Sequence, residues 1–212
     1  DIAQLCAGAA SIVKECVSPQ LEDNPAIMSA LIHYYYHTQA VRISDMFLFS
    51  VDLEAVGKWY RQLVAESIGK EYDKAGKQVY VGITPTVSLG SIDLHSVTQL
   101  YLAGPRDKFT TFVTIEKSDV IITVPTAVSI VGNKTFTEIM HALAQGTQIA
   151  YVKNNRPFCS FMLPEKSAYY LGQFLQCKMI ETMYLGFLLD INPFDQPNVD
   201  LYKREAYALL QQ

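Results

Sequence analysis

The stretch "VRISDMFLFSVDLEAVGKWYRQLVAESIGKEYD", residues 41–73, decides the fold. Aromatic and branched residues crowd positions 41–50, a run with the length and composition of a strand. Asp52 then stands where a helix would be capped. A long helical pattern follows to about Asp73. Working outward, the same alternation continues. Upstream, residues 2–16 carry small and apolar residues at helical spacing. Asn24 precedes Pro25 as an N-cap precedes a first-turn proline, opening a helix through Thr38. Downstream, "KAGKQ" turns the chain, and "VYVGITPTVSLGS" is extended but broken by Gly and Pro. A helix is expected from Ser91 or Asp93 to a stop at Gly104-Pro105. Residues 109–116 read as a strand, and "DVIITV", 119–124, is a further candidate. Thr135 and Glu138 form a capping box for a helix over 135–152. A strand over 156–164 and helices over 167–190 and 198–210 complete the pattern.

Strands alternating with helices over long crossovers predict an α/β fold with a mostly parallel sheet. In such sheets, ligands sit outside the carboxyl ends of the strands. That rule points to the loops near residues 50, 90 and 118. No internal repeat or low-complexity linker divides the chain.

The 212 residues are half hydrophobic and only 18% charged, so a sizeable core is expected. A net charge of −4 with interspersed signs lacks the basic footprint of a nucleic-acid binder. No apolar run has membrane-spanning length. Cys6, Cys16, Cys159 and Cys177 are irregularly spaced and form no Cys-x-x-Cys pair. They read as reduced, largely buried thiols of a cytoplasmic protein. The chain starts at Asp1 and enters a helical pattern at once, so it is expected to be a piece of something longer. The sequon "NKT" at Asn133 reads as chance.

Three stretches hold groups suited to acid–base chemistry. In "RQLVAESIGK", 61–70, Gln62, Glu66 and Lys70 recur every fourth residue and share one helix face. Such a stripe reads first as a solvated surface with a Glu66–Lys70 ion pair worth a few tenths of a kcal/mol. Its functional reading is a glutamate general base beside an amide, which would need partial burial to raise its proton affinity. In "LGSIDLHSVTQ", 89–99, a Gly-Ser turn leads into a helix with Asp93 and His95 in its first turn. Asp93 fits ordinary capping. His95 is either a surface imidazole or a proton-transfer group on a strand-to-helix loop. In "INPFDQPNVDLYK", 191–203, Phe194 and Pro197 can brace a loop that presents Gln196, with Lys203 in the helix beyond. The plainer reading there is a Pro-rich turn. His33 and His37, four residues apart in "HYYYHT", have zinc-helix spacing, but no glutamate follows the first and no third ligand is evident. The metal reading is discarded.

Taken in order, "QLVAESIGK", "GITPTVSLGSIDLHSVTQLYLAGPRDKFTTFV" and "NPFDQPNVDLYK" resemble the carboxyl-terminal part of the glucose-6-phosphate isomerases. The likeness runs over nearly the whole chain. It implies a three-layer α/β/α sandwich of the sugar-isomerase (SIS) type with additional C-terminal helices. It implies Glu66 as the base that moves a proton between C1 and C2 of an open-chain sugar phosphate, through a cis-enediol(ate). By the same resemblance His95 assists ring opening, Lys203 lies near the ring oxygen and hydroxyls, and Gln62 and Gln196 position the substrate. No metal or organic cofactor is implied. The implied partners are the sugar phosphate, an amino-terminal domain of the same enzyme, and a second subunit, since the family's catalytic histidine reaches the site from a dimer neighbour.

The pattern departs from the family's in places. Leu94 stands where glutamine is usual, Asn198 replaces glycine and Asp200 replaces glutamate. Asparagine tolerates left-handed backbone better than most residues, which softens the second change. The Ser/Thr-rich phosphate cradle and the Gly-Gly-Arg motif of the amino-terminal domain are absent; Arg42 and Arg61 lie outside any such motif. The expected assignment is therefore a C-terminal SIS-type domain over 1–212, inactive by itself. The alternative is a non-catalytic sugar-phosphate-binding module of the same fold.

Overall fold

The computed structural model describes residues 1–118, 121–128 and 130–211. Helix α1 (Ile2–Cys16) and helix α2 (Pro25–Thr38) precede the first strand, β1 (Ile43–Leu48). Helix α3 (Glu54–Ile68) follows, then a short hairpin of β2 (Lys70–Tyr72) and β3 (Gln78–Val81). Strand β4 (Thr84–Leu89) leads into two short helices, α4 (Ile92–Ser96) and α5 (Thr98–Ala103). Strand β5 (Lys108–Lys117), helix α6 (Phe136–Lys153) and strand β6 (Phe158–Glu165) come next. Helices α7 (Ala168–Leu188) and α8 (Val199–Leu210) close the chain.

The main sheet has the order β4-β1-β5-β6, and every neighbouring pair is parallel. Strand β1 is central and covered on both faces, which is why Ser44 to Leu48 are all buried. Its alternating side chains feed two cores. Met46 and Leu48 pack with Tyr60, Val64 and Ile68 of α3 and Phe174 of α7 on one face. Phe47 packs with Phe112, Tyr101 of α5 and Tyr151 of α6 on the other. The result is the expected three-layer α/β/α arrangement. Each such aromatic or aliphatic side chain contributes roughly 1.5–3 kcal/mol by burial. Helix α1 is fastened outside α7 by near backbone contact: a Cβ on Gly8 would lie 1.8 Å from the Tyr169 carbonyl oxygen, and one on Gly172 2.0 Å from that of Leu5. Among the described residues no helix is long and apolar enough to cross a membrane.

Two caps are formed as the sequence implies. The Asn24 side chain accepts from the Ile27 N–H at 2.9 Å, and Thr135 and Glu138 make both halves of a capping box. Elsewhere the structure corrects the reading. Asp52 caps nothing: α3 begins two residues later, and the Asp52 carboxylate pairs with Lys166 at 2.7 Å. Helix α3 also stops at Ile68 rather than near Asp73, because Gly69 is extended and the chain enters the hairpin. The helix expected over 91–104 breaks at Val97. Asp93 draws its own hydrogen bonds from the Leu89 N–H at 2.7 Å and the Ser96 hydroxyl at 2.6 Å. Of the candidate strand at 119–124, residues 119 and 120 lie outside the described residues; in the remainder only Thr123 pairs, in a single bridge to Thr135. Of the four thiols expected to be largely buried, Cys16 and Cys177 are, whereas Cys6 is exposed and Cys159 is intermediate.

The centre of β1 carries a carboxyl group that its neighbours only partly satisfy. Asp45 is fully buried. Its Oδ1 accepts from Thr86 (2.6 Å), Ser88 (3.0 Å) and Tyr101 (3.0 Å), while Oδ2 has no partner among the described residues. Burial pushes this carboxyl above its ordinary value of 3.8, against the pull of the three hydroxyls. The folded state therefore holds the proton more tightly than the unfolded chain. Its contribution to stability is complete below the ordinary value and declines as pH rises toward the folded one. Asp45→Asn removes this dependence. Chemical denaturation from pH 4 to 7 is expected to show the variant gaining on the natural protein as pH rises; a constant gap would show that Asp45 is not held protonated.

Candidate active site

Glu66 sits in the last turn of α3, where the helix has run back from the carboxyl ends of the strands to their amino ends. Gly69 marks the spot: a Cβ on Gly82, just before β4, would be 3.4 Å from the Gly69 Cα. Gln62, one turn earlier, donates from Nε2 to Glu66 Oε1 at 3.1 Å. The shared helix face predicted from the sequence thus becomes a direct amide–carboxylate contact.

Lys70 behaves differently from the expected surface ion pair. Its ammonium donates to the main-chain carbonyl of Glu66 at 2.9 Å, not to the carboxylate. It also meets Asp195, both at Oδ1 (3.3 Å) and at the main-chain oxygen. The Lys70 side chain is only 6% exposed, so these bonds are shielded from water. One lysine therefore joins the end of α3 to the loop between α7 and α8. That loop has internal bracing. Asn192 donates to the Asp195 carboxylate at 2.9 Å and accepts from the Phe194 N–H at 3.1 Å. Pro193 is buried against Gly186, where a Cβ would lie 2.8 Å from the proline ring. Lys74 of the hairpin turn donates its N–H to the Asp190 carbonyl at 2.9 Å and lies 4.9 Å from the Phe187 ring. The proline-rich stretch is a built loop clamped from the 70–74 segment.

Between these elements lies a cavity of about 460 Å³. Glu66, Lys70, Asn192, Asp195 and Gln196 line it. The fold thus brings Glu66 and Gln196 together from opposite ends of the chain. Glu66 is exposed, so residues of this chain do not enclose it as a buried general base requires. Lys203 is exposed on α8, 3.4 Å from Asp200, and is not in the cavity wall. His95 is exposed on α4, beyond the carboxyl end of β4. Strand β4 separates it from Glu66, on the order of 15–20 Å for a strand of this length. The two groups share no cavity within one chain.

Sequence reading missed Lys70 as a clamp and Asn192 and Asp195 as its supports. A signal was present in Gly69, which ends the helix just before the lysine, and in the acid beside Gln196. Lys70→Met is expected to free the 192–198 loop. Hydrogen exchange should rise there by about tenfold or more, corresponding to loss of a charge-assisted bond. Unchanged protection of that loop would show that the clamp has no mechanical role.

The family model for phosphoglucose isomerase matches residues 1–212. A glucose-6-phosphate isomerase of Carboxydothermus hydrogenoformans is 34% identical over 216 aligned residues, covering 99% of this chain and 47% of that protein. One from Methanocaldococcus jannaschii is 30% identical, covering 100% of this chain and 51% of its own length. Among solved structures, a hypothetical protein of Thermus thermophilus superposes with a TM-score of 0.90 at 29% identity, over 100% of this chain and 51% of that one. A glucose-6-phosphate isomerase from Chlamydia trachomatis superposes with a TM-score of 0.88 at 18% identity, over 98% and 42%, a likeness of fold. The chain spans about half the length of the curated relatives it matches.

Proposed function

The chain belongs to the phosphoglucose isomerase family, and from that premise we propose that residues 1–212 are the carboxyl-terminal SIS-type domain of a glucose-6-phosphate isomerase. The whole protein interconverts glucose 6-phosphate and fructose 6-phosphate in the cytoplasm, in glycolysis and gluconeogenesis. The observation that carries this reading is the convergence of Glu66 and Gln196 on one cavity, with Gln62 bonded to the Glu66 carboxylate.

In this reading Glu66 takes the C2 proton of the open-chain aldose, leaving a cis-enediol(ate), and returns it to C1 to give the ketose. Acid–base groups suffice for each step. Gln62 orients the carboxylate, and Gln196, on its clamped loop, donates to sugar hydroxyls. Lys203 supports the ring oxygen and hydroxyls during ring opening. An amino-terminal domain supplies the phosphate cradle and closes over the exposed Glu66, giving the enclosure that the base needs. His95 assists ring opening from a neighbouring subunit. The separation of His95 and Glu66 along β4 supports a homodimer in which each chain serves the other's site.

The test is isomerisation of fructose 6-phosphate by the whole protein in deuterium oxide. Deuterium at C2 of the glucose 6-phosphate formed is the expected signature of proton transfer through an enediol. Absence of isomerase activity in the whole protein would reject the enzyme and leave a sugar-phosphate-binding module.

A further inference from the structure

The loops near 50, 90 and 118 belong to no part of the Glu66 site, yet they meet. They line a second cavity of about 580 Å³ at the opposite end of the sheet. Its position follows from topology. The chain leaves β1 through α3 toward β4 on one face, and leaves β5 through α6 toward β6 on the other. Connections that depart in opposite directions from adjacent parallel strands open a crevice between them at their carboxyl ends.

The lining has a definite chemical character. Lys117, at the end of β5, makes no ion pair among the described residues, and Glu165, its neighbour across β6, does not pair with it. Lys166 enters from the end of β6 and is paired with Asp52. Among the described residues that line the cavity, two lysines thus accompany one aspartate. His141 of α6 bonds through Nε2 to the Ile115 carbonyl at 2.8 Å. A carbonyl only accepts, so Nε2 carries a proton in this bond. The hydroxyls of Ser50, Ser91 and Thr137 add neutral donors. Apart from Thr114 and Ser118 the rest of the wall is apolar, and much of it faces water: Ile92 is 68% exposed, Ile122 52% and Phe136 53%. Exposed apolar side chains gathered around a cationic crevice of this size have the make-up of a small-molecule site.

We propose that this cavity binds a small phosphorylated molecule with a flat or apolar body. The phosphate faces Lys117 and Lys166, and the body lies against Ile92, Ile122 and Phe136. The site is separate from the Glu66 cavity and does not depend on the reaction proposed there.

Adenosine 5′-monophosphate serves as the probe, with inorganic phosphate and adenosine as its halves. Calorimetric titration of the whole protein is expected to show saturable binding of the nucleotide, with each half binding at least about tenfold more weakly. Lys117→Glu should weaken the nucleotide about tenfold or more, as loss of a charge-assisted contact requires. Ile92→Glu should weaken it similarly. Both side chains are exposed, so both variants should keep the fold, which circular dichroism checks. Glu66→Gln should leave the affinity unchanged. No saturation up to about 10 mM, a concentration corresponding to negligible affinity, would overturn the proposal. So would unchanged affinity in Lys117→Glu, or loss of binding in Glu66→Gln, which would place the probe in the other cavity.

Discussion

Glu66→Gln is expected to lower the turnover of fructose 6-phosphate by the whole protein by about 10²–10⁴-fold, the usual worth of a positioned general base. Substrate affinity stays within a few-fold. Glutamine keeps the size of the side chain and still accepts the hydrogen bond that Gln62 donates at 3.1 Å. It lacks only the basicity that the proposed proton transfer needs. The two-parameter readout matters. A fall in kcat and kcat/KM together marks an interaction made only in the transition state, whereas a rise in KM alone would make Glu66 a binding residue. Near-normal turnover would reject the assignment of Glu66 as base while leaving the family membership intact. The clamp by Lys70 offers a second view of the same site. If Gln196 positions substrate from a fastened loop, releasing that loop reduces catalysis without touching the base.

The second large effect is expected in the core, at two residues that line neither cavity. Lys178 and Glu181, both on α7, are 0% and 1% exposed and form an ion pair of 2.7 Å. The ammonium lies 4.0 Å from the Phe161 ring centroid and 5.3 Å from that of Tyr60. Tyr60 donates its hydroxyl to Glu181 Oε1 at 3.0 Å. His33 comes within 3.7 Å of the same oxygen, but this is no second ion pair. Burial holds the imidazole neutral, and its Nδ1 is spent on the Ser29 carbonyl at 3.0 Å. Burial works against the Glu181 charge as well, but the Lys178 ammonium and the hydrogen bonds outweigh it and hold the carboxyl below its ordinary value of 4.5.

Lys178→Met is therefore expected to cost about 3–5 kcal/mol, because it leaves a buried carboxylate without its partner. That is a large share of the roughly 5–15 kcal/mol that stabilises a typical domain. The loss has a pH signature. In the natural protein Glu181 contributes stability that is present above 4.5 and fades as pH falls. In the variant, burial opposes the charge with only the hydrogen bonds left against it, so the carboxyl is expected to rise and the penalty to grow as pH rises. Urea denaturation at acid and neutral pH should show the gap widening toward neutrality. Replacing both residues, Lys178→Met with Glu181→Leu, is expected to recover most of the loss, since a packed apolar pair of similar volume removes both desolvation costs. A double variant no more stable than the single one would show that the pair contributes through its bonds to Tyr60 as well.

Much of this architecture is legible in the chain. Local rules are read best where one segment satisfies its own backbone. The Asn24-Pro25 start of α2 and the Thr135/Glu138 capping box each close within three residues, so tertiary structure has little to add. Strand β1 is legible for a related reason: buried on both faces, it carries the Met46-Phe47-Leu48 run, which stands out although Ser44 and Asp45 precede it. Reading was poorest where a distant partner decides. Asp52 carries the right chemistry for a cap, but Lys166 after β6 takes its carboxylate, and the helix starts without it. The 91–104 stretch has helical composition throughout, yet Asp93 bonds to the Leu89 and Ser96 groups and the helix divides at Val97.

The candidate site divides along the same line. Periodicity alone puts Gln62 and Glu66 on one face of one helix. That face cannot reveal that the Lys70 ammonium turns away from the Glu66 carboxylate toward Asp195, because Asp195 arrives from the far end of the chain. The i,i+3 spacing of Lys178 and Glu181 does not distinguish a buried pair from an exposed one. Only the packing of Phe161, Tyr60 and Phe174 around the ammonium takes them out of water. By itself the sequence determined the alternation of strands and helices, the parallel sheet, and the order of the motifs, since each is written in spacings a few residues long. The tertiary structure alone decided which charges are buried and which meet across the chain. It also decided that Glu66 and His95 face opposite ends of the sheet, because those relations depend on distances that no local spacing encodes.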